Sequence, residues 1–297
     1  MFFSKLYNLA VRRVFSQVAD PLVEYRAGRF TMKLPLSHEL PFHQEMHEHY
    51  GFNIVRIAAQ AGLEYPDLKF IDIGANVGDT VLAVRNSLAC PILAIEGDPR
   101  FFSILRHNCA QVKDVAVHRA LVGEKDQKIA GRLSPGKGSA HILNTPGPGA
   151  MDTVTLETVL TAHPGFRDSK ILKIDTDGFE LKIIRGARPW IERAQPIIFF
   201  EFDPACMRRQ NDDPRAIFVE LKAMGYGALL VYYNTGEYMC SAALDNARLI
   251  EDIHEYFCGR KSRVYADICA FHHQDMGLFD NIRSSEINHF REARYER

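Results

Sequence analysis

Short apolar runs alternate along the chain with stretches whose apolar positions return every three or four residues. This is the pattern of strands joined through crossover helices. The runs are Leu68–Ile73, Ile92–Glu96, Val115–His118, Ile171–Asp175, Ile197–Phe202, Ala228–Tyr232 and Tyr265–Phe271. Seven such runs predict one α/β domain built on a doubly wound, mostly parallel sheet.

Helix starts are legible between the runs. Asp98-Pro99 supplies a capping acid and a proline at the first helical position, ahead of a helix over Arg100–Gln111. Asp79 or Thr80 is placed to cap the helix after the first strand. The regular alternation lapses at SPGKGSAHILNTPGPGA, residues 134–150, a segment rich in glycine and proline. Insertions of this kind commonly build the substrate side of a site. Residues 1–66 form an accessory region, helical in the later part of PFHQEMHEHYGFNIVRIAAQAG. Residues 67–275 form the main domain, and 276–297 a C-terminal tail.

The 297 residues are 46% apolar, enough for a sizeable core, and the net charge of −1 does not favour nucleic acid as a partner. Six scattered cysteines with no C-x-x-C pair fit a reduced, cytoplasmic setting. The first residues, MFFSKLYNLAVRRVFSQVADP, place Phe3, Leu6, Ala10 and Val14 near one helical face. Lys5, Arg12 and Arg13 make this stretch too short and too charged to span a bilayer. It suits packing on its own domain or on a partner subunit of a homo-oligomer, or peripheral contact with a membrane.

FIDIGANVGDT, residues 70–80, carries the most chemical information. An apolar strand ends in Asp72, and a turn through Gly74, Asn76 and Gly78 leads into a helix whose free N–H groups face the carboxyl end of the sheet. The second strand ends at Glu96, placed to accept hydrogen bonds from the two hydroxyls of a ribose. Strand, turn, helix, strand and acid make a site for an adenosine cofactor, such as NAD or S-adenosylmethionine. Asn76 stands where the dinucleotide fingerprint needs its second glycine, which argues against a pyrophosphate.

FIDIGANVGDT, LAIEGDP, ILKIDTDGFELKIIRGA and PIIFFEF, in this order over about residues 68–235, resemble the FkbM family of S-adenosylmethionine-dependent methyltransferases. RFTMKLPLSHELPFHQEMHEHYGF upstream is similar to the lead-in of members acting in glycan pathways. The resemblance implies a class I, Rossmann-like methyltransferase fold of seven strands with an antiparallel last strand, and methylation of a hydroxyl oxygen. It also implies that Gly74, Asn76 and Gly78 surround the methionine part of the cofactor and that Glu96 holds its ribose. Asp72 would orient the loop or the cofactor's amino group. Asp177 departs from the pattern, because the family usually has glutamate there.

Methyl transfer to oxygen needs a group to receive the hydroxyl proton. Asp175 and Glu201 end the fourth and fifth strands, which flank the methyl position in this fold, and His141 in the insertion is the third candidate. Asp177-Gly178-Phe179-Glu180 has the form of a capping box, with Asp177 accepting from the N–H of residue 180 and Glu180 reaching back. Asp175, Asp177 and Glu180 are also three hard ligands for a magnesium ion. However, Glu180 lies a helical turn away, so no residue is assigned to a metal. His43 and His47, with His38 and His49 nearby, have a spacing permitted for zinc but read as a surface or substrate-contacting helix.

The expected activity is therefore an S-adenosylmethionine-dependent O-methyltransferase acting on a sugar hydroxyl of a glycan, polysaccharide or nucleotide-sugar precursor. A natural-product hydroxyl is the nearest alternative acceptor. An NAD-dependent sugar oxidoreductase and a non-catalytic glycan-binding protein are the alternatives of other classes.

Overall fold

The computed structural model describes residues 20–130, 132–135, 140–143, 150–260 and 264–295, with side chains described outside 130–150 and 292–295. The amphipathic N-terminal stretch lies outside the described residues.

The chain opens with a hairpin, β1 (Leu22–Ala27) and β2 (Phe30–Pro35), followed by α1 (Leu40–Met46) and α2 (Asn53–Glu64). Then come β3 (Phe70–Ile73), α3 (Asp79–Ser87), β4 (Ile92–Glu96), α4 (Pro99–Cys109) and β5 (Val115–Arg119). Around the glycine- and proline-rich segment come β6 (Leu121–Val122), β7 (Gln127–Ala130), β8 (Arg132–Pro135), β9 (Ala140–Leu143) and β10 (Ala150–Val154), of which β9 lies within it. Of these, β6, β10 and β7 make a small sheet and β8 pairs with β9. After α5 (Leu156–Ala162) the main alternation resumes with β11 (Ile171–Ile174), α6 (Glu180–Gly186), α7 (Arg188–Ala194), β12 (Ile197–Phe202), α8 (Pro204–Arg209) and α9 (Ala216–Ala223). The chain ends with β13 (Tyr226–Tyr233), β14 (Tyr238–Ala243), α10 (Ala247–Cys258), β15 (Ala266–His272) and α11 (Met276–Tyr295).

The central sheet runs β14-β13-β15-β12-β11-β3-β4-β5. The five strands from β5 to β12 are parallel, and β15 is antiparallel to both of its neighbours. This is the doubly wound order of a class I methyltransferase, in which the last strand inserts antiparallel between the two before it. All seven expected strands are in the sheet, but it has eight. The eighth, β14, returns from β13 as an edge hairpin. Its YMCSAA sequence is mostly half-buried and lacks the continuous apolar run of a central strand, which is why its sequence does not read as one.

Period-two alternation sorts the strand residues onto two cores. Ile71, Ile73, Leu93, Ile95, Leu172, Ile174, Ile198 and Phe200 face the helices α5, α6, α7, α9 and α10. Phe70, Ile92, Ala94, Ile171, Ile197 and Phe199 face α2, α3 and α11. A third cluster seats Met32 and Leu34 of the hairpin against Val77, Leu82, Phe101 and Ile104, so the accessory region lies over the turn after β3. Asn108 fastens this seam, since its amide donates to the carbonyls of Lys33 and Val77 (2.8 Å each) and its Oδ1 accepts from the N–H of Lys33.

Residues 276–295, set apart in the sequence as a tail, form a helix that buries Leu278, Phe279 and Ile282 in the second core. Arg56 of α2 grips its Glu286 with two hydrogen bonds of 2.7 Å, and Glu286 is 1% exposed. Removing one partner of a buried pair leaves an uncompensated charge. Arg56→Ala should therefore cost about 3 kcal/mol in urea unfolding, whereas a loss below about 1 kcal/mol, as for exposed pairs, would show that the contact does not tie α11 down.

Candidate active site

The turn after β3 is shaped by what it packs against. Gly74 sits at φ +82, and a Cβ on it would lie 1.8 Å from the carbonyl oxygen of Asp175. Only glycine fits there. The N–H groups of Gly74 and Ala75 both donate to the Ile95 carbonyl, which fixes the turn to the end of β4. Asn76 takes the left-handed conformation at φ 48, which asparagine tolerates better than most residues, and this explains the break in the glycine pattern. Gly78, at φ +89, is itself the N-cap of α3, so the cap expected from Asp79 or Thr80 is not made. Gly78 lies one layer back, where a Cβ would meet Leu105 and Cys109.

Glu96 closes the other side of the turn. Its Oε2 accepts from the N–H of Asn76 (2.8 Å) and its Oε1 from the N–H of Asp98 (2.7 Å), so the carboxyl group is held in one orientation at the rim of a cleft of about 290 Å³. Burial pushes its pKa up, the two backbone donors oppose, and the outcome is about 7. Asp98 caps α4 as its sequence indicates, accepting from the N–H groups of Arg100 and Phe101. Phe101, Ala120, Leu121 and Val122 line the cleft beside Glu96, so the site sets apolar side chains next to a ribose acceptor. These residues fit an adenosine cofactor.

Beneath the turn lies a pair of buried charges. Asp72, fully buried, and Lys173, 5% exposed, face each other in the β3–β11 register, with Lys173 Nζ 3.0 Å from Asp72 Oδ1. The same ammonium reaches Asp175 Oδ2 at 3.2 Å. Burial alone would lower the Lys173 pKa, but the Asp72 and Asp175 carboxylates outweigh it and raise it, so the lysine stays charged. Asp72 therefore sits behind the cleft and acts on it through Lys173; its second oxygen has no partner. Lys173 lines the cleft and was not singled out in the sequence, because its partner is 101 residues away and only strand register brings the two together.

The three acids of LKIDTDGFELK separate sharply. Asp175 is exposed on the cleft wall. Asp177 is left-handed at φ 54 and does not cap α6, whose N-cap is Phe179 with no side-chain bond, so the expected capping box is absent. Glu180 instead reaches back to Thr176, accepting from its N–H (2.8 Å) and Oγ1 (2.9 Å), and burial raises its pKa to about 8. Glu201, at the end of β12, also lines the cleft. Burial first, then Asp175, Asp177 and Glu180, push its pKa well up. His141 pairs with Ser134 in the β8–β9 ladder, and its side chain lies outside the described part.

The accessory region supplies the opposite wall. His38 Nε2 lies 3.2 Å from Asn76 Oδ1, and the ring of His43 stacks on Tyr50 at 4.9 Å. His38, His43, Tyr50 and Tyr265 all line the cleft. Of the histidines read in the sequence as a surface or substrate-contacting helix, His38 and His43 line this wall.

The sequence matches the Methyltransferase FkbM domain over residues 72–227, more than half of the chain. The chain belongs to the FkbM methyltransferase family. The match begins at Asp72, covers the glycine turn, Glu96, Lys173, Asp175 and Glu201, and ends inside β13. Similar solved structures include an FkbM methyltransferase from Methylobacillus flagellatus KT, 17% identical with a TM-score of 0.39, over 55% of this chain and 39% of that one. An O-methyltransferase from Bacillus cereus in complex with SAH is 13% identical, with a TM-score of 0.38, over 74% and 80%. A precorrin-6y C5,15-methyltransferase from Geobacter metallireducens GS-15 is 15% identical, with a TM-score of 0.38, over 73% and 86%. No curated protein matches the chain. Among the described residues no helix is long and apolar enough to cross a membrane.

Lys173→Met should destabilise the protein by about 3–5 kcal/mol, followed through the fluorescence of Trp190, the only tryptophan and fully buried. Adding Asp72→Asn should recover a large part of that loss, because no bare charge then remains. Additive losses would contradict the pairing.

Proposed function

We propose that this protein transfers a methyl group from S-adenosylmethionine to a sugar hydroxyl of a glycan, polysaccharide or nucleotide-sugar precursor. The observation that carries the reading is Glu96, a buried carboxyl group held by the turn and aimed into a cleft with apolar side chains beside it. S-adenosylmethionine, when bound, supplies a methyl group activated on a sulfonium sulfur. Glu96 would accept both ribose hydroxyls, Phe101 and Leu121 would cover the adenine, and the turn from Gly74 to Asn76 would face the methionine portion.

The acceptor side is polar and aromatic. The Asp175 carboxylate and the Glu201 carboxyl group offer hydrogen bonds to neighbouring hydroxyls, and the stacked His43–Tyr50 pair offers a flat face for a sugar ring. That combination favours a polyhydroxylated acceptor over an apolar one. Asp175, held by Lys173 at the carboxyl end of β11, receives the hydroxyl proton.

Incubation with labelled S-adenosylmethionine and extracts containing nucleotide sugars and glycan intermediates tests the acceptor. Label in a carbohydrate fraction is expected, and label confined to lipid or protein would overturn it. Asp175→Asn should lower kcat by about 10²-fold or more with S-adenosylhomocysteine affinity unchanged; unaltered turnover removes Asp175 as the base.

The raised pKa of Glu96 gives a pH signature. Ribose hydroxyls donate best to the ionised carboxylate, so cofactor affinity should strengthen as pH rises through about 7. Glu96→Gln should bind more weakly, by about tenfold, and with no such pH step. A step that survives the substitution belongs to another group.

A further inference from the structure

We propose that the cleft also holds a divalent metal ion of the zinc or cobalt type, bound by Asp177, Glu201 and Cys206 next to the acceptor. The inference rests on the methyltransferase reading of the same cleft. The three residues come from the β11–α6 turn, β12 and α8, and their ligand atoms lie within 4.8 Å of one another. A tetrahedral site with bonds of about 2.1–2.3 Å sets its ligands about 3.5 Å apart, so these side chains need to close by roughly 1 Å.

An independent observation points to a ligand. Glu201 is only 8% exposed and lines the cleft, and no protein group among the described residues donates a hydrogen bond to it, so its oxygens look to the cleft for a partner. A buried carboxyl group is normally satisfied. Lys173 does not serve it, because its ammonium is taken by Asp72 and Asp175. Glu180 adds a further buried oxygen, Oε2, with no partner. The crowd of acids around Glu201 has two ways to be relieved, by taking up protons or by binding a cation.

The donor set selects the ion. Two carboxylates and a sulfur suit a borderline transition ion better than magnesium or calcium, which take oxygen ligands. Cys206 Sγ accepts from Arg209 at 2.7 Å and lies 3.1 Å from Asp203 Oδ2, so a guanidinium and a carboxylate already stand beside the sulfur. Three protein ligands leave a position open, as in catalytic rather than structural zinc sites. A hydroxyl of the acceptor fills it. The ion then makes that hydroxyl more acidic, its proton passes to Asp175, and the oxygen forms its bond to the methyl carbon as the carbon–sulfur bond breaks. The sulfur leaves with the electron pair as a neutral thioether. A vicinal diol is the acceptor best suited to this geometry, since its second hydroxyl remains for the surrounding acids.

Cobalt(II) titration of the chelator-treated full-length protein tests the proposal, because thiolate ligation gives a near-ultraviolet charge-transfer band. One equivalent should bind with that band. Cys206→Ser should abolish the band, and Glu201→Gln should weaken binding by about 10–100-fold. A second group, His254, Glu255 and Cys258, also has metal-ligand spacing, so Cys258→Ser serves as the control and should keep the band. A band lost in Cys258→Ser but kept in Cys206→Ser would overturn the assignment, as would the absence of stoichiometric binding. S-adenosylhomocysteine binding is followed calorimetrically on the same samples. Its absence alongside an intact Cys206-dependent band would count against the cofactor reading and leave the metal site standing.

Discussion

The site depends on one buried ion pair. Asp72 and Lys173 sit side by side in two parallel strands, almost wholly out of water, at the level where the chain leaves the sheet to form the cleft. Neither charge is tolerable alone at that depth. Together they lock the ends of β3 and β11 in register, and the surplus charge of the lysine reaches up to Asp175. Gly74 is squeezed against the backbone of Asp175 at the same place, so the floor of the cofactor turn and the carboxylate facing the acceptor are positioned by one arrangement.

From that floor the rest follows outward. The turn presents the N–H of Asn76 to Glu96, Glu96 stands beside apolar side chains of the cleft, and the hairpin and α1 fold over the top to supply His38 and His43. The accessory region thereby completes a wall of the site while packing its own apolar face on Val77, Phe101 and Ile104. Burial first, and then the neighbouring acids on the far side, keep Glu201 and Glu180 above the usual carboxylate range.

Much of this was legible in the sequence, and for physical reasons. Most strands of the sheet are nearly continuous apolar runs because both faces are covered, and the half-buried edge strand β5 still begins with Val115-Ala116-Val117, so all seven were readable, whereas the half-exposed edge strand β14 and the hairpin at 22–35 were not. Asp98 followed by proline reads as a cap and is one. The Asp177–Glu180 box failed because Asp177 is left-handed and Gly178 after it is pressed against the backbone of Cys206, while Phe179 takes the cap position and Glu180 bonds Thr176. Lys173 was hidden for a different reason: a lysine inside an apolar strand declares itself only when strand order shows that its neighbour is an aspartate.

The central claim is that this cleft takes an adenosyl cofactor through Glu96 rather than a dinucleotide. Isothermal titration of the full-length protein with S-adenosylhomocysteine and, separately, with NAD tests it most directly. One-to-one binding of S-adenosylhomocysteine with a micromolar Kd, and no heat with NAD, is the expected result. Binding of NAD with no detectable S-adenosylhomocysteine would contradict the account at its base.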